Sequence, residues 1–237
     1  LSVEDLASLS DRPDRFIGLH FFYHPAKNRL VEIIPSSRTS SETIQSVIQY
    51  CGAMGKVVIL CKDRPGFVVN RFFVPWLNEA CKLLDEGFGT PAEIDNVAKD
   101  CFGIGMGPFE LMNLTGPSIA LHSTDYLASQ LQVDRYKGAD SLRRLVEEGI
   151  QWDLAGVSGE FSSKDRKEIR NRLLGVVLCI ASQIVEEEIC AMEDVDRGAK
   201  VGLRWPMGPF ELANNLGVDV AHGIASDYAV LAGFESP

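Results

Sequence analysis

Two short apolar runs, Phe16-Ile-Gly-Leu-His-Phe-Phe22 and Leu30-Val-Glu-Ile-Ile34, flank the polar stretch Tyr23-His-Pro-Ala-Lys-Asn-Arg29. Runs of that length and composition read as strands, and the polar stretch with its proline reads as the turn joining them. With the turn centred on Ala26 the strands are antiparallel, and His20 falls opposite Glu32. Thr39-Ser-Ser-Glu42 reads as a capping box ahead of Ile44, Val47, Ile48 and Cys51, which recur at helical spacing. Gly52 and Gly55 stop that helix, and Lys56-Val-Val-Ile-Leu-Cys61 is apolar enough for a buried strand. The strand-helix-strand order predicts that this last strand lies parallel to 30–34. Lys62-Asp-Arg-Pro-Gly66 then breaks the pattern, as a domain junction does.

From Phe67 onward the apolar period is helical. The pattern predicts a long helix over 67–86, a second begun by Thr90-Pro-Ala-Glu93 and ended by Gly103, and a third opened by Pro108. Two more follow over 117–131 and 141–147, and residues 149–163 lose periodicity and read as a connector. The chain then repeats itself. An offset of 101 places Asn70-Arg71 on Asn171-Arg172, Asp95 on Asp196, Ala98-Lys99 on Ala199-Lys200, and Met106-Gly-Pro-Phe-Glu-Leu111 on Met207-Gly-Pro-Phe-Glu-Leu212. About a third of positions match without a gap across 70–116, which marks a duplicated helical unit. Two copies are too few for a solenoid, so they are expected to pack face to face.

The 237 residues are 46% hydrophobic and 24% charged, with a net charge of −10. An acidic chain without a clustered cationic surface argues against nucleic acid as a partner. No run approaches the roughly 18 apolar residues of a membrane span, so no membrane partner is expected. The six cysteines, at 51, 61, 81, 101, 179 and 190, have neither metal-ligand nor C-x-x-C spacing. That predicts no metal site and no disulfide framework, and a reducing, cytoplasmic location.

A histidine beside a carboxylate on neighbouring strands has the makings of a general base. Cross-strand Cβ atoms lie about 4.5–5.5 Å apart, close enough for Glu32 to fix the tautomer of His20 and raise its basicity. A satisfied half-buried histidine is the alternative on geometry alone. The ordered set Gly18-Leu-His-Phe-Phe22, Val31-Glu-Ile-Ile34, Pro65-Gly-Phe-Val-Val-Asn-Arg71 and Gly107-Pro-Phe-Glu-Leu111 resembles the L-3-hydroxyacyl-CoA dehydrogenases across essentially the whole chain.

The resemblance implies an NAD-dependent oxidation of L-3-hydroxyacyl-CoA to 3-oxoacyl-CoA in fatty-acid β-oxidation or related acyl-CoA metabolism. His20 and Glu32 would be the catalytic pair. Asn70 would contact the substrate, with a helix N-cap as its alternative role. Tyr23 is a further substrate-side candidate, standing where the family commonly has asparagine.

The implied organisation is the last strands of a Rossmann-type NAD-binding domain over 1–64, a helical domain over 65–160, and a second helical copy over 161–237. This α/β remnant followed by two tandem helical repeats would be a C-terminal part of the enzyme. No G-x-G-x-x-G follows a strand, so no cofactor-binding residues are assigned, and the NAD site is expected mostly outside these residues. The family's serine motif is expected just before Leu1, with Ser2 a stand-in only if the alignment slips. The chain alone is therefore expected to be inactive. Because single-copy relatives pair through the helical domain, the linked copies here are expected to pair within one chain, giving a monomer. The competing reading is a non-catalytic assembly or acyl-CoA-binding module that kept the fold.

Overall fold

The computed structural model describes residues 2–156 and 161–234, so part of the predicted connector and the extreme ends lie outside the described residues. Strands β1 (Ile17–Phe21) and β2 (Leu30–Pro35) are antiparallel, and β3 (Val57–Leu60) lies parallel to β2, giving a three-stranded sheet in the order β1-β2-β3. The register pairs His20 with Glu32. Residues 30–34 of β2 are all buried, as expected of a central strand covered on both faces. Alternation then sorts its side chains. Val31 and Ile33 pack with Cys51 of α2 (Ser41–Ala53), whereas Leu30 and Ile34 join the main core on the opposite face.

The capping box expected at Thr39 does not form, and the cap falls one residue later. The Thr39 hydroxyl donates to the Phe16 carbonyl at 2.6 Å and accepts from the Ser36 amide, so Ser40 becomes the N-cap of α2 and accepts from Thr43 N–H. Helix α1 (Val3–Ser8), capped by Ser2 and Asp5, was not anticipated from the periodicity.

The rest of the described chain is helical: α3 (Val69–Asp85), α4 (Pro91–Phe102), α5 (Pro108–Thr115), α6 (Pro117–Leu131), α7 (Asp140–Glu148), α8 (Ser163–Glu186), α9 (Met192–Gly202), α10 (Pro209–Leu216) and α11 (Val218–Ala232). The Gly-Pro-Phe-Glu motif has a plain structural cause. Asp95 on α4 accepts the first-turn amides of α5, Phe109 N–H at 2.8 Å and Glu110 N–H at 2.9 Å. Asp196 on α9 does the same for Phe210 and Glu211 of α10, at 2.8 and 3.1 Å. These amides have no partner within their own helices. A Cβ at Gly107 or Gly208 would lie 2.3 Å from the capping aspartate, so only glycine admits it.

Helices α3 and α8 pack against each other. Arg71 of α3 reaches Glu187 at 2.7 Å, while Arg172 of α8 reaches Glu86, the residues exchanging partners across the 101-residue offset. Arg172 also binds the buried Glu79 at 2.5 Å. The position equivalent to Glu79 is Ile180, and Arg71 Nε correspondingly has no hydrogen-bond partner among the described residues. Helix α9 rests on β2 and β3, and Asn28 donates to the Gly202 carbonyl at 2.8 Å.

Candidate active site

His20 projects from β1 and bonds Glu32 through Nδ1, 2.6 Å from Oε2. Glu32 is fully buried, while the His20 side chain keeps 28% of its surface exposed. A buried carboxylate is costly unless its lone pairs are filled. Here the second oxygen, Oε1, accepts from Val68 N–H at 3.1 Å and Val69 N–H at 2.9 Å. Those amides belong to the start of α3, whose N-cap residue, Val68, has no capping side chain of its own. Glu32 caps the helix from the neighbouring strand, at the positive end of the helix dipole. A carboxylate held in this way accepts a hydrogen bond from the Nδ1–H of a neutral imidazole, which leaves Nε2 with the free lone pair.

The segment 65–69 makes this possible. Gly66 has φ +80°, and a Cβ there would come within 2.9 Å of the Arg71 backbone. Phe67 follows with φ +47°, a left-handed conformation that is a genuine outlier for a bulky residue. Its ring centroid lies 5.6 Å from that of His20, and Phe22 closes edge-on at 4.7 Å.

Asn70 is the second residue of α3, half-buried, so the N-cap alternative is set aside: the cap position belongs to Val68. Its amide lines a cavity of about 670 Å³ together with Ser2, Phe67, Ser123 and Tyr126. Phe67 thus touches both His20 and the cavity that holds Asn70. Tyr23 stands apart. It lies in the turn after β1, is 77% exposed, meets His24 at a tilt of 60° with 5.7 Å between centroids, and does not line this cavity. The structure therefore gathers His20, Glu32 and the first turn of α3, and leaves Tyr23 on the surface. Sequence reasoning missed Phe67 and the two amides. Pro65-Gly66 at the onset of a helical period signals a tight entry, but nothing in the sequence aims that entry at Glu32.

The model of the 3-hydroxyacyl-CoA dehydrogenase C-terminal domain matches residues 66–152 and 169–236, and that of the family's NAD binding domain matches residues 1–64. The chain belongs to the 3-hydroxyacyl-CoA dehydrogenase family. It is 42% identical over 116 residues to the mitochondrial hydroxyacyl-coenzyme A dehydrogenase of Mus musculus, an alignment covering 49% of this chain and 37% of that protein. To the fatty acid oxidation complex subunit alpha of Vibrio cholerae it is 31% identical over 246 residues, covering 92% of this chain and 34% of the relative. The chain thus spans about a third of the length of these curated relatives. The solved structure of 3-hydroxybutyryl-CoA dehydrogenase from Escherichia coli superposes with a TM-score of 0.85 at 20% identity, covering all of this chain and 71% of that one, which shows the common fold.

Family membership brings NAD into question. Among the described residues no strand leads through a glycine-rich turn into a helix N-terminus, and Gly103-Ile-Gly-Met-Gly107 runs between α4 and α5 instead. None of these residues is therefore assigned to a pyrophosphate. Among the described residues no group of three or more His, Cys, Asp or Glu side chains is placed to hold a metal ion, and no helix is long and apolar enough to cross a membrane.

Proposed function

We propose that these residues form the proton-accepting half of an NAD-dependent L-3-hydroxyacyl-CoA dehydrogenase acting in fatty-acid β-oxidation or a related acyl-CoA route. The observation that carries this reading is the 2.6 Å bond from His20 Nδ1 to a buried Glu32 whose other oxygen is filled by two helix amides. In the oxidation NAD supplies the hydride acceptor. What this chain contributes is the proton step: Nε2 of His20 takes the C3 hydroxyl proton, and Glu32 stabilises the imidazolium that results. Asn70, whose side-chain amide has no hydrogen-bond partner among the described residues, presents that amide to the substrate oxygens from the cavity wall. Tyr23, being exposed, is kept as a peripheral substrate contact at most.

The 237 residues by themselves do not hold NAD in this reading, because the dinucleotide is gripped through a glycine-rich turn absent from their sequence. Saturable micromolar quenching of NADH fluorescence by this polypeptide would overturn that part. The domains are taken as 1–64, 65–160 and 161–237. The two helical copies pair within one chain, a reading supported by the exchanged partners Arg71–Glu187 and Arg172–Glu86. A monomer follows, since an attached copy outcompetes a free one at ordinary concentrations. Six free thiols support a reducing compartment, and we assign the cytoplasm.

The test is kinetic. In the intact NAD-binding protein, His20→Gln lowers kcat for acetoacetyl-CoA reduction by roughly 10² to 10⁴, and Glu32→Gln acts in the same direction. A kcat within about threefold of wild type under chemistry-limited conditions would remove the pair from the mechanism.

A further inference from the structure

Phe67 is held in a backbone conformation that bulky side chains avoid, at φ +47°, directly between Gly66 at φ +80° and the two amides that grip Glu32. Strain of this kind persists only where the surroundings over-determine it, and it clusters at functional sites. Packing alone does not ask for a left-handed residue here. In the segment 101 residues further on, the corresponding position is Glu168, inside the continuous helix α8. The same helical unit is therefore built without the device where no histidine has to be served.

We propose that Phe67 is a positioning residue for His20. The left-handed turn swings the ring back over the imidazole, while the chain leaves in the direction that lays Val68 and Val69 N–H on Glu32 Oε1. One residue thereby fixes both neighbours of the dyad. Phe22 and Phe67 both pack against the imidazole, at 4.7 and 5.6 Å between centroids, and restrict it to the rotamer in which Nδ1 points at Glu32. The Phe67 ring is also wall to the cavity lined by Asn70, so it keeps water in that cavity away from the Nδ1–Glu32 bond. A hydrogen bond shielded by apolar walls is stronger than one in contact with water. The inference rests on the dyad reading given under Proposed function. It adds that the histidine's tautomer and orientation depend on the Phe67 ring.

The experiment uses the intact NAD-binding protein labelled with ¹⁵N-histidine. At neutral pH the His20 Nδ1–H proton gives a resolved downfield resonance, protected from solvent exchange. Phe67→Gly tolerates the positive φ without strain, so it removes the ring and spares the backbone turn. The expected result is loss of the His20 Nδ1–H resonance to exchange broadening in Phe67→Gly and Phe67→Ala, with recovery in Phe67→Leu and Phe67→Tyr. In Phe67→Gly the Val68 and Val69 amides keep their slow exchange.

Persistence of the Nδ1–H resonance in both Phe67→Gly and Phe67→Ala would overturn the proposal, as would its loss in the Leu and Tyr variants. Loss of Val68 and Val69 protection in Phe67→Gly would also overturn it, because the residue would then be holding the helix entry rather than the imidazole. A wild-type protein whose His20 carries its proton on Nε2 alone would sink the dyad reading itself, which separates that failure from the others.

Discussion

The segments beginning at α3 and α8 share the Asn-Arg start, the aspartate-capped Gly-Pro-Phe-Glu turn and the order of helices, yet their first turns meet different neighbours. Helix α3 starts at Val69, where unpaired amides face Glu32. Helix α8 starts at Ser163, so Ile169 and Arg170, the counterparts of Val68 and Val69, lie inside a helix that already uses their amides. Asn70 lines a cavity, whereas Asn171 is an interior helix residue accepting from Arg170 at 3.3 Å. The cleft between α3 and α6 differs from its counterpart in the same sense. Val74 and Leu127 line the open cavity, but their equivalents are Gly175 and Tyr228, where a Cβ on Gly175 would meet Tyr228 at 2.7 Å. The two segments thus differ by seven residues of helix extension and one large ring.

The comparison breaks first at the exchanged arginines. Arg172→Met leaves the 1% exposed Glu79 and its neighbour Glu86 to Arg135 alone among the arginines, and is expected to cost about 2–3 kcal/mol of unfolding free energy. Arg71→Met removes a partner from the 40% exposed Glu187 and is expected to cost nearer 1 kcal/mol. Urea denaturation of the two variants checks the difference, and equal losses would mean that the missing counterpart of Glu79 is of no consequence.

The caps test where the segments agree. Gly107→Ala and Gly208→Ala each drive a methyl into the capping aspartate, and each is expected to cost roughly 1–3 kcal/mol. Gly107→Ala should be at the upper end, since Asp95 is the more deeply buried of the two. At Gly175 the outcome should differ by segment: Gly175→Val pushes Tyr228 aside and is expected to lower stability by about 1–2 kcal/mol. The reciprocal Val74→Gly opens the cavity further and leaves the second segment untouched.

A smaller effect concerns pH. Burial pushes Asp95 up from its ordinary 3.8 to about 6, against the two amides that favour its charge, and Asp196 is raised for the same reason. The folded state then holds the proton more tightly than the unfolded chain does. The stabilisation is fully present below pH 3.8 and is lost as pH rises through about 6. The difference in stability between wild type and Asp95→Asn should change across that window. Other carboxylates held low by arginine or lysine tilt both curves equally and cancel in the difference. A flat difference would show that the amides, rather than burial, decide the charge of Asp95.

The strand register was legible because a period of two leaves one way to bury both Val31 and Ile33. It carried the His20–Glu32 pairing with it, since the short turn between the runs fixes which residues face each other. Capping chemistry announced α4 and α5 through Thr90 and Pro108. The Thr39 box misled, because the Phe16 carbonyl, 23 residues away, and the Ser36 amide engage the hydroxyl that a local cap would have used. Tyr23 entered through the resemblance, standing where the family commonly has asparagine, and past the end of β1 its side chain is exposed.

The sequence by itself determined the sheet, the helical units and the pair of titratable side chains, because these depend on periodicity and short-range pairing. Tertiary structure alone decided that Glu32 Oε1 meets the amides of Val68 and Val69, 36 and 37 residues away, and that Arg172 finds Glu79 across the two segments. Those contacts are set by how α3 enters over the sheet and by which volumes are left between α3 and α8. A buried charge takes whatever donors the packing brings within reach, and no local pattern in the chain encodes which ones they will be.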